Sequence, residues 1–480
     1  MFCRHRPARR TDTRPRERRI AIACVVALLL PALCGPAQAV DAPHIVFVLA
    51  DDLGWKDTGF NRGEALTPRL DRLAAEGAIL RAFYAQPYST QTRAALLTGR
   101  YPMRYGLQTG SIAHSSRYGL PTEERTLAQA LKARGYRTAF LGRWQLGHAR
   151  QEFWPTRRGF DHFYGTLSGR VDAHLRKGAN ADWRRNEQPL KEEGYITALL
   201  AKEAASIVDK HPAGAPLFLM VAFTAPALAA NPPKSMLAQY ASVSDAGRRD
   251  FLAAVSALDA ATGDIVDALE RRKMLDDTLL LFHGDNGGGV ATRFPTADGD
   301  GQSSAADNGP WREGRGSLYE GGVRVPALAH WRGRIKPGTV IADPVHVTDV
   351  YATAVKLAGG SLEQPKALDG LDLWPALAEG QRSPRKETLL DVEDFRGAIR
   401  VGEWKLIVHA ALPSRVELFD IANDPEETDN RADNYPDRVK ELRARLDAYA
   451  YDMAASLRLE EILGGGGQAM GWWRHNPVKR

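Results

Sequence analysis

Residues 89–100 have the sequence STQTRAALLTGR, which predicts a short helix that begins at Ser89 and ends at Gly99. The first N–H groups of a helix have no partner within it, and the helix dipole makes that end positive. We therefore expect the first turn to bind an anionic group, with Arg93 placed to grip it through two hydrogen bonds. Serine is also a common N-cap, and capping is the alternative role for Ser89.

Around this helix, short apolar runs alternate with amphipathic helices, a pattern typical of a mostly parallel α/β sheet. The predicted strands are residues 44–49, 136–141, 217–223 and 278–282, and the predicted helices are residues 67–77, 126–134 and 251–269. Further along, residues 397–409 and 416–421 predict antiparallel strands, and residues 439–449 predict a helix. The predicted fold class is α/β, a large mostly parallel sheet flanked by helices, with a smaller C-terminal α+β domain.

Four segments are predicted along the chain: an export signal peptide at 1–39, the α/β domain at 40–384, the α+β domain at 385–463 and a flexible tail at 464–480. The first segment has a basic start, an apolar run too short to span a membrane and a small-residue cleavage site, Ala37-Gln38-Ala39. We therefore expect an exported protein, periplasmic or secreted, with no stable membrane span after cleavage.

The leader also accounts for the basic character of the chain. It holds eight of the 64 basic and two of the 58 acidic side chains, so 56 of each remain after cleavage. This balance does not support a nucleic-acid partner. The three cysteines, Cys3, Cys24 and Cys34, are all in the leader, so the mature protein has no thiol.

Polar residues follow each of the four predicted strands, at the sheet edge where α/β proteins bind ligands. Two of these clusters are acidic, Asp51-Asp52 and Asp285-Asn286. Three carboxylates and one amide form an all-oxygen set suited to one divalent cation, with Ca²⁺ preferred over Mg²⁺. Each pair is also typical of a strand-end turn, but their recurrence beside the predicted helix favours a metal site.

Six stretches resemble the sulfatase family of the alkaline-phosphatase-like superfamily, and the arylsulfatases in particular. They are residues 45–55 (IVFVLADDLGW), 89–100, 155–161 (PTRRGFD), 285–288 (DNGG), 316–324 (GSLYEGGVR) and 417–420 (ELFD). The resemblance implies a metal-dependent hydrolase acting on a small-molecule or carbohydrate sulfate ester. It assigns the metal to Asp51, Asp52, Asp285 and Asn286, and it makes Ser89 both the nucleophile and a further contact of the metal.

The nucleophile segment departs from the family pattern. In the family it opens with Cys-x-Pro-x-Arg or Ser-x-Pro-x-Arg, and the first residue becomes formylglycine, whose hydrate is the nucleophile. Here Ser89 is at the nucleophile position, Gln91 replaces the proline and Arg93 matches the supporting arginine. The hydroxyl of Thr90 is one position away from the nucleophile position. The resemblance therefore argues against formylglycine at Ser89. An unmodified serine held against a divalent cation is still a workable nucleophile, because the metal lowers the pKa of its hydroxyl.

Two histidine positions of the family are also substituted. The family's Gly-Lys-Trp-His-Leu-Gly is GRWQLG here, so Arg143 keeps the positive charge of the lysine but Gln145 replaces the histidine. Arg315 aligns with a second lysine, and Ala227 replaces the second histidine. Neither glutamine nor alanine transfers protons near neutral pH, and losing a general acid or base costs about 10²–10⁴ in rate. Two histidines lie close in sequence, with structural roles favoured over catalytic ones: His148 and His283.

Three hypotheses follow. The first is an atypical or slow sulfatase-like hydrolase. The second is a phosphatase, phosphodiesterase or transferase that uses Ser89 directly. The third is a protein without catalysis that keeps the metal and binds an anion with Arg93, Arg143 and Arg315. The sequence does not indicate an oligomeric state.

Overall fold

The computed structural model describes residues 42–168, 174–175, 182–228, 231–289, 305–411 and 413–464. The predicted leader, and the predicted tail beyond residue 464, lie outside these ranges. The domain boundaries at residues 39, 384 and 463 stay predictions. Within the described ranges, no helix is both long enough and apolar enough to cross a membrane.

The first eleven strands include the four predicted for the α/β domain: β1 His44–Asp51, β2 Ala78–Leu80, β3 Phe83–Tyr84, β4 Arg137–Arg143, β5 His162–Thr166, β6 His174–Leu175, β7 Trp183–Arg185, β8 Gln188–Pro189, β9 Gly194–Tyr195, β10 Leu217–Pro226 and β11 Thr278–Gly284. The later strands are shorter or belong to the C-terminal region: β12 Arg324–Val325, β13 Ala327–His330, β14 Thr339–Ile341, β15 Val345–His346, β16 Glu387–Val392, β17 Arg396–Val401, β18 Trp404–His409 and β19 Arg415–Asp420.

The helices are α1 Pro68–Glu76, α2 Ser89–Thr98, α3 Leu127–Lys132, α4 Ile196–Asp209, α5 Lys234–Leu237, α6 Ala246–Arg271, α7 Glu320–Val323, α8 Val347–Leu357, α9 Trp374–Ala378, α10 Pro436–Tyr451 and α11 Leu457–Ile462. All the helices predicted from the sequence are present, with ends that differ by a few residues.

Ten strands form one sheet in the order β14-β2-β13-β11-β1-β10-β4-β5-β7-β8. The five central strands, from β11 to β5, are parallel, and antiparallel pairs flank them. Alternate residues of β1 point to opposite faces, so Phe47 packs with α2, α3 and α8, whereas Val48 packs with α1, α4 and α6. Burial on both faces explains why these strands are almost continuously apolar. The predicted fold class is confirmed.

All four predicted strands of the large sheet are longer than predicted at the ligand-binding edge, and β11 continues to Gly284. β1 continues to Asp51, β4 to Arg143 and β10 to Pro226, because pairing with neighbouring strands persists there. Asp51 is in register with Pro226, and Arg143 with Thr166. The predicted site residues Asp51 and Arg143 are therefore held by the sheet, not by loops beyond it.

The C-terminal region is a four-stranded antiparallel sheet, β16-β17-β18-β19, covered by α10. Residues 397–409, predicted as strand throughout, contain a turn at Gly402, whose φ of 57° suits glycine. Two strands, β17 and β18, therefore occupy this stretch. Leu442 and Leu446 of α10 pack on the sheet, as the amphipathic pattern predicts.

Candidate active site

Helix α2 begins at the carboxyl edge of the parallel strands and places Ser89 among their acidic residues. The Ser89 hydroxyl lies 3.1 Å from Asn286 Oδ1 and 3.5 Å from Asp51 Oδ1. The helix ends at Gly99, whose φ of 67° lies in the left-handed region. Ser89 is not the N-cap, a position that Tyr88 takes, so capping is the wrong role for it.

The two residues after Ser89 make hydrogen bonds that hold the start of α2 in place. The Thr90 hydroxyl donates to the Gln145 carbonyl over 3.1 Å and accepts the Ile112 N–H over 3.0 Å. The Gln91 side chain accepts the Tyr88 N–H over 3.2 Å and donates to the Gln108 carbonyl. The Gln108 side chain in turn donates to the Ala454 carbonyl over 2.9 Å. Gln91, at the position that resembles the family's proline, therefore links helix α2 through Gln108 to the end of the C-terminal region.

Asp51, Asp52 and Asp285 form a buried carboxylate cluster. One oxygen from each lies within 4.8 Å of the others. The Asn286 amide nitrogen donates to Asp52 Oδ1 over 2.6 Å, and the Asp52 N–H donates to Asp285 Oδ1 over 3.1 Å. The structure thus brings together the four residues predicted to bind the metal.

Three arginines surround these carboxylates. Arg93 lies 2.9 Å from Asp285 and 3.6 Å from Asp51, and Arg143 lies 2.6 Å from Asp51. Arg315 Nε is 3.4 Å from Asp52 Oδ1. Arg93 Nε and Nη1 and Arg315 Nη2 are buried and have no hydrogen-bond acceptor among the described residues. These donors are placed to bind an anion beside Ser89.

The electrostatics of the cluster suit a cation. Burial raises the pKa of Asp285 to about 7, and Asp51 adds to the rise while Arg93 opposes it. Burial also raises the pKa of Asp52 against the opposing charge of Arg315. Burial acts in the same direction on Asp51, but Arg143 and Arg93 outweigh it and lower that pKa.

The unpaired oxygen of Asp52 indicates whether a metal would fit this cluster. Asp52 Oδ2 is buried and accepts no hydrogen bond from the described residues. An unpaired buried carboxylate oxygen is costly, and a hard cation bound by oxygen atoms would satisfy it. The donor set of Asp51, Asp52, Asp285 and Asn286 therefore fits a divalent cation.

The positions that lack histidine are near this cluster. The Gln145 backbone adopts a φ of 55°, and its Oε1 is buried without a partner among the described residues. Ala227 donates its N–H to the Asp51 carbonyl over 3.0 Å. Neither side chain can exchange a proton near neutral pH.

His283 and His148 have partners elsewhere. His283 is fully buried, contacts the Gly284 carbonyl through Nδ1 over 2.7 Å and packs on Phe83. Burial lowers its pKa to about 4, so its ring is neutral near pH 7. The His148 ring stacks on His114, and its Nε2 contacts the His114 carbonyl over 2.8 Å. These contacts support structural roles for both.

One positioning residue was missed from the sequence. The Asn308 side chain accepts the Gly288 N–H over 2.8 Å and donates to the Gly288 and Glu313 carbonyls, each over 3.0 Å. The Arg315 N–H also donates to the Gly288 carbonyl, over 3.1 Å. Asn308 therefore fixes the loop after Asn286 against the segment that carries Arg315. Asparagine is common in turns, so nothing in the local sequence marks it.

Comparisons with known proteins show the family of the chain. The family profile described as Sulfatase matches residues 43–361, and one described as N-sulphoglucosamine sulphohydrolase, C-terminal, matches residues 311–452. Arylsulfatase J of Mus musculus is 32% identical over 468 residues, which cover 85% of this chain and 75% of that protein. N-acetylgalactosamine-6-sulfatase of Homo sapiens is 32% identical over 376 residues, covering 73% and 69%.

A solved structure is also similar: Ps i-CgsB in complex with k-i-k-neocarrahexaose, with a TM-score of 0.79, 30% identity and coverage of 86% of this chain and 94% of that one. The chain belongs to the sulfatase family of the alkaline-phosphatase-like superfamily. More narrowly, its relatives are hydrolases of sulfate esters, and the acidic triad suits the divalent metal that sulfatases generally bind.

Proposed function

We propose that this protein is an atypical, slow hydrolase of sulfate esters that uses the unmodified Ser89 hydroxyl as its nucleophile. The observation that carries the proposal is the position of Ser89 Oγ, 3.1 Å from Asn286 Oδ1 and 3.5 Å from Asp51 Oδ1, within the carboxylate cluster. Asp51, Asp52, Asp285 and Asn286 would hold one divalent cation, with Ca²⁺ preferred over Mg²⁺.

The cation, when bound, would lower the pKa of a neighbouring hydroxyl and offset negative charge on the substrate. Asn286 and Asp51 orient the Ser89 hydroxyl toward that position. Attack of the Ser89 oxygen on sulfur would break the S–O bond to the leaving alcohol and form a serine sulfate ester, and a water molecule would then cleave that ester to release sulfate and restore the hydroxyl. The chain itself supplies the orientation for the attack.

Arg93, Arg143 and Arg315 would hold the sulfate group. A guanidinium donates two parallel hydrogen bonds to an oxyanion, and the buried donors of Arg93 and Arg315 lack acceptors in the described part of the site. Arg143, paired with Asp51, would add positive charge on the other side of Ser89. Three nonbridging sulfate oxygens match three guanidinium groups.

The substrate is proposed to be a small-molecule or carbohydrate sulfate ester. Support comes from the oligosaccharide bound by i-CgsB and from the amino-sugar named for one relative. Because Gln145 and Ala227 cannot protonate a leaving group, esters of acidic phenols should react faster than esters of sugar hydroxyls.

Gln145 and Ala227 also favour a second function, the binding of sulfated ligands without turnover. A protein that binds sulfated ligands without turnover loses nothing when proton-transfer side chains are replaced by Gln145 and Ala227, whereas a hydrolase does. Direct serine chemistry on phosphate esters is the third alternative, because a metal-activated Ser89 hydroxyl needs no formylglycine.

Sulfate release from 4-nitrocatechol sulfate, measured with added Ca²⁺, tests these alternatives. We expect slow, Ca²⁺-dependent turnover that Ser89→Ala abolishes and that the exposed control Ser235→Ala retains. Faster cleavage of bis(4-nitrophenyl) phosphate than of the sulfate would favour phosphoester chemistry. Ligand binding without any turnover would leave the non-catalytic function.

A further inference from the structure

The hairpin between β16 and β17 is attached to the rim of the active site. Arg396, the first residue of β17, donates to the Gly316 carbonyl over 2.6 Å. The Gly316 N–H donates to the Pro87 carbonyl over 2.9 Å. Gly316 directly follows Arg315, and Pro87 is two residues before Ser89, so the hairpin borders both the arginine and the nucleophile helix.

Tyr88 completes this rim. Gly316 has a φ of 83°, and a side chain there would collide with the Tyr88 ring, so the backbone and the ring are in direct contact. The Arg315 guanidinium lies 6.0 Å from the centre of the same ring. Tyr88 is half-buried, whereas Ser89 is fully buried. Tyr88 and Arg315 therefore connect the buried nucleophile to the surface beside the hairpin.

The tip of the hairpin is residues 393–395. Glu393 is held by hydrogen bonds, whereas Asp394 and Phe395 are exposed. Glu393 accepts hydrogen bonds from Arg396 Nη2 over 2.6 Å and from Nε over 3.0 Å, which fixes both side chains. Asp394 is exposed, and Phe395 is 61% exposed. Single exposed apolar side chains are ordinary on protein surfaces. Phe395 differs from these because its hairpin is hydrogen-bonded to the rim of the active site through Arg396. A ligand that extends out of the site could therefore contact it.

The buried acid at the base of the hairpin is paired within the hairpin. Asp391 is only 2% exposed, and burial together with the neighbouring Glu393 carboxylate raises its pKa, so that it shares a proton with Glu393. Asp394 and Phe395 are therefore the residues of the tip that can meet a ligand.

We propose that residues 393–395 form a subsite for the sugar ring next to the sulfated one in an oligosaccharide ligand. Phe395 would stack on the apolar face of that ring, because an aromatic ring offers a large contact area at a small entropic cost. Asp394 would accept hydrogen bonds from its hydroxyl groups. The negative charge at the tip disfavours a second sulfate on this ring. The inference rests on the proposed carbohydrate ligand.

Isothermal titration with two ligands tests the subsite. One ligand is 4-nitrocatechol sulfate, which has no neighbouring sugar, and the other is a sulfated hexasaccharide. We expect wild type to bind the hexasaccharide more tightly. Phe395→Ala should weaken hexasaccharide binding roughly five- to tenfold and leave binding of the aryl sulfate within about twofold.

Tyr435→Ala is the matched control. Tyr435 is 45% exposed and its ring contacts that of Trp404, at the opposite end of the same sheet from the hairpin tip. Its replacement should leave both affinities unchanged. Equal loss of both ligands in Phe395→Ala, no loss of either, or a wild type that binds the hexasaccharide no better than the aryl sulfate would overturn the subsite.

Sulfate release is measured separately on the same samples. A wild type that binds the hexasaccharide through Phe395 but releases no sulfate would refute hydrolysis and keep the subsite. Turnover with no effect of Phe395→Ala would keep hydrolysis and refute the subsite.

Discussion

The Lys405 ammonium group lies 3.0 Å from the Glu320 carboxylate and 2.7 Å from the Glu427 carboxylate, and all three side chains are buried. Lys405 is on β18 of the C-terminal sheet. Glu320 begins α7, five residues after Arg315. A single buried cation therefore joins the C-terminal sheet to the segment that carries an active-site arginine.

Lys405→Met should destabilise the protein strongly. Methionine keeps much of the side-chain length but leaves the Glu320 and Glu427 carboxylates without this cation, which costs about 3–5 kcal/mol. The free energy of unfolding in urea measures the effect. Lys336→Met, at an exposed lysine, should change it by less than about 0.5 kcal/mol. A Lys405→Met loss as small as that of the control would contradict the prediction.

The peptide containing Ser89 should have the mass of unmodified serine. In the folded protein the proline position carries Gln91, whose side chain bonds to the Tyr88 N–H and the Gln108 carbonyl. Peptide mass spectrometry of the purified protein is the measurement. A loss of about two mass units, the two hydrogens removed in formylglycine formation, would show a matured nucleophile despite Gln91.

Calcium should stabilise the fold through Asp52. A cation that binds only the folded state, at a concentration a hundred times its Kd, adds about 2.7 kcal/mol. Thermal unfolding should therefore shift upward with Ca²⁺, less with Mg²⁺, and return to its starting value with chelator.

The matched pair for this test is Asp52→Asn and Asp209→Asn. Asp209 is a half-exposed carboxylate paired with Arg271 on the surface. The calcium shift should largely disappear in Asp52→Asn and persist in Asp209→Asn. An equal shift in both variants would place the bound calcium elsewhere.

Restoring the two histidines should raise activity on esters with poor leaving groups. Histidine tolerates the left-handed backbone at position 145 better than most residues do. We expect the double variant Gln145→His with Ala227→His to increase kcat/KM on an alkyl sulfate by about 10²-fold, and less on 4-nitrocatechol sulfate, whose leaving group needs no proton. An equal increase on both substrates would argue against a proton-transfer role for these positions.

Stability should fall as pH decreases, partly through His44. Burial, with a smaller contribution from His211, lowers the pKa of His44 from 6.5 to about 4. The unfolded chain therefore binds more protons between these values, so this stability is complete above pH 6.5 and is lost as pH falls toward 4. Allowing for partial solvent screening, we expect about 1 kcal/mol between about pH 7.5 and about pH 5.

His44→Asn isolates this contribution. The His44 Nδ1 accepts the Leu217 N–H over 3.0 Å, and an asparagine oxygen can take its place without titrating. The loss of unfolding free energy between the two pH values should be smaller in the variant. The same pH dependence in both proteins would show that His44 is not responsible.

The carboxylate cluster was predictable because parallel strands end at one edge of a sheet, so Asp51 and Asp285 had to meet there. Local patterns also predict the helix from Ser89 to Gly99. The contacts of Lys405, Asn308 and the hairpin at Arg396 were not predictable. They join residues distant in sequence, and no periodicity or spacing marks a single buried ion pair or loop hydrogen bond.

The link from Gln91 through Gln108 to the Ala454 carbonyl can form only after the C-terminal region has been synthesised. Gln108 and Ala454 are 346 residues apart. At the usual speed of translation, roughly 20 to 70 seconds separate their emergence from the ribosome. Throughout that interval the helix bearing Ser89 lacks its final restraint, whereas Ser89 is fully buried once folding is complete. Any enzyme able to modify Ser89 would have to act on the growing or newly released chain, before the serine is buried.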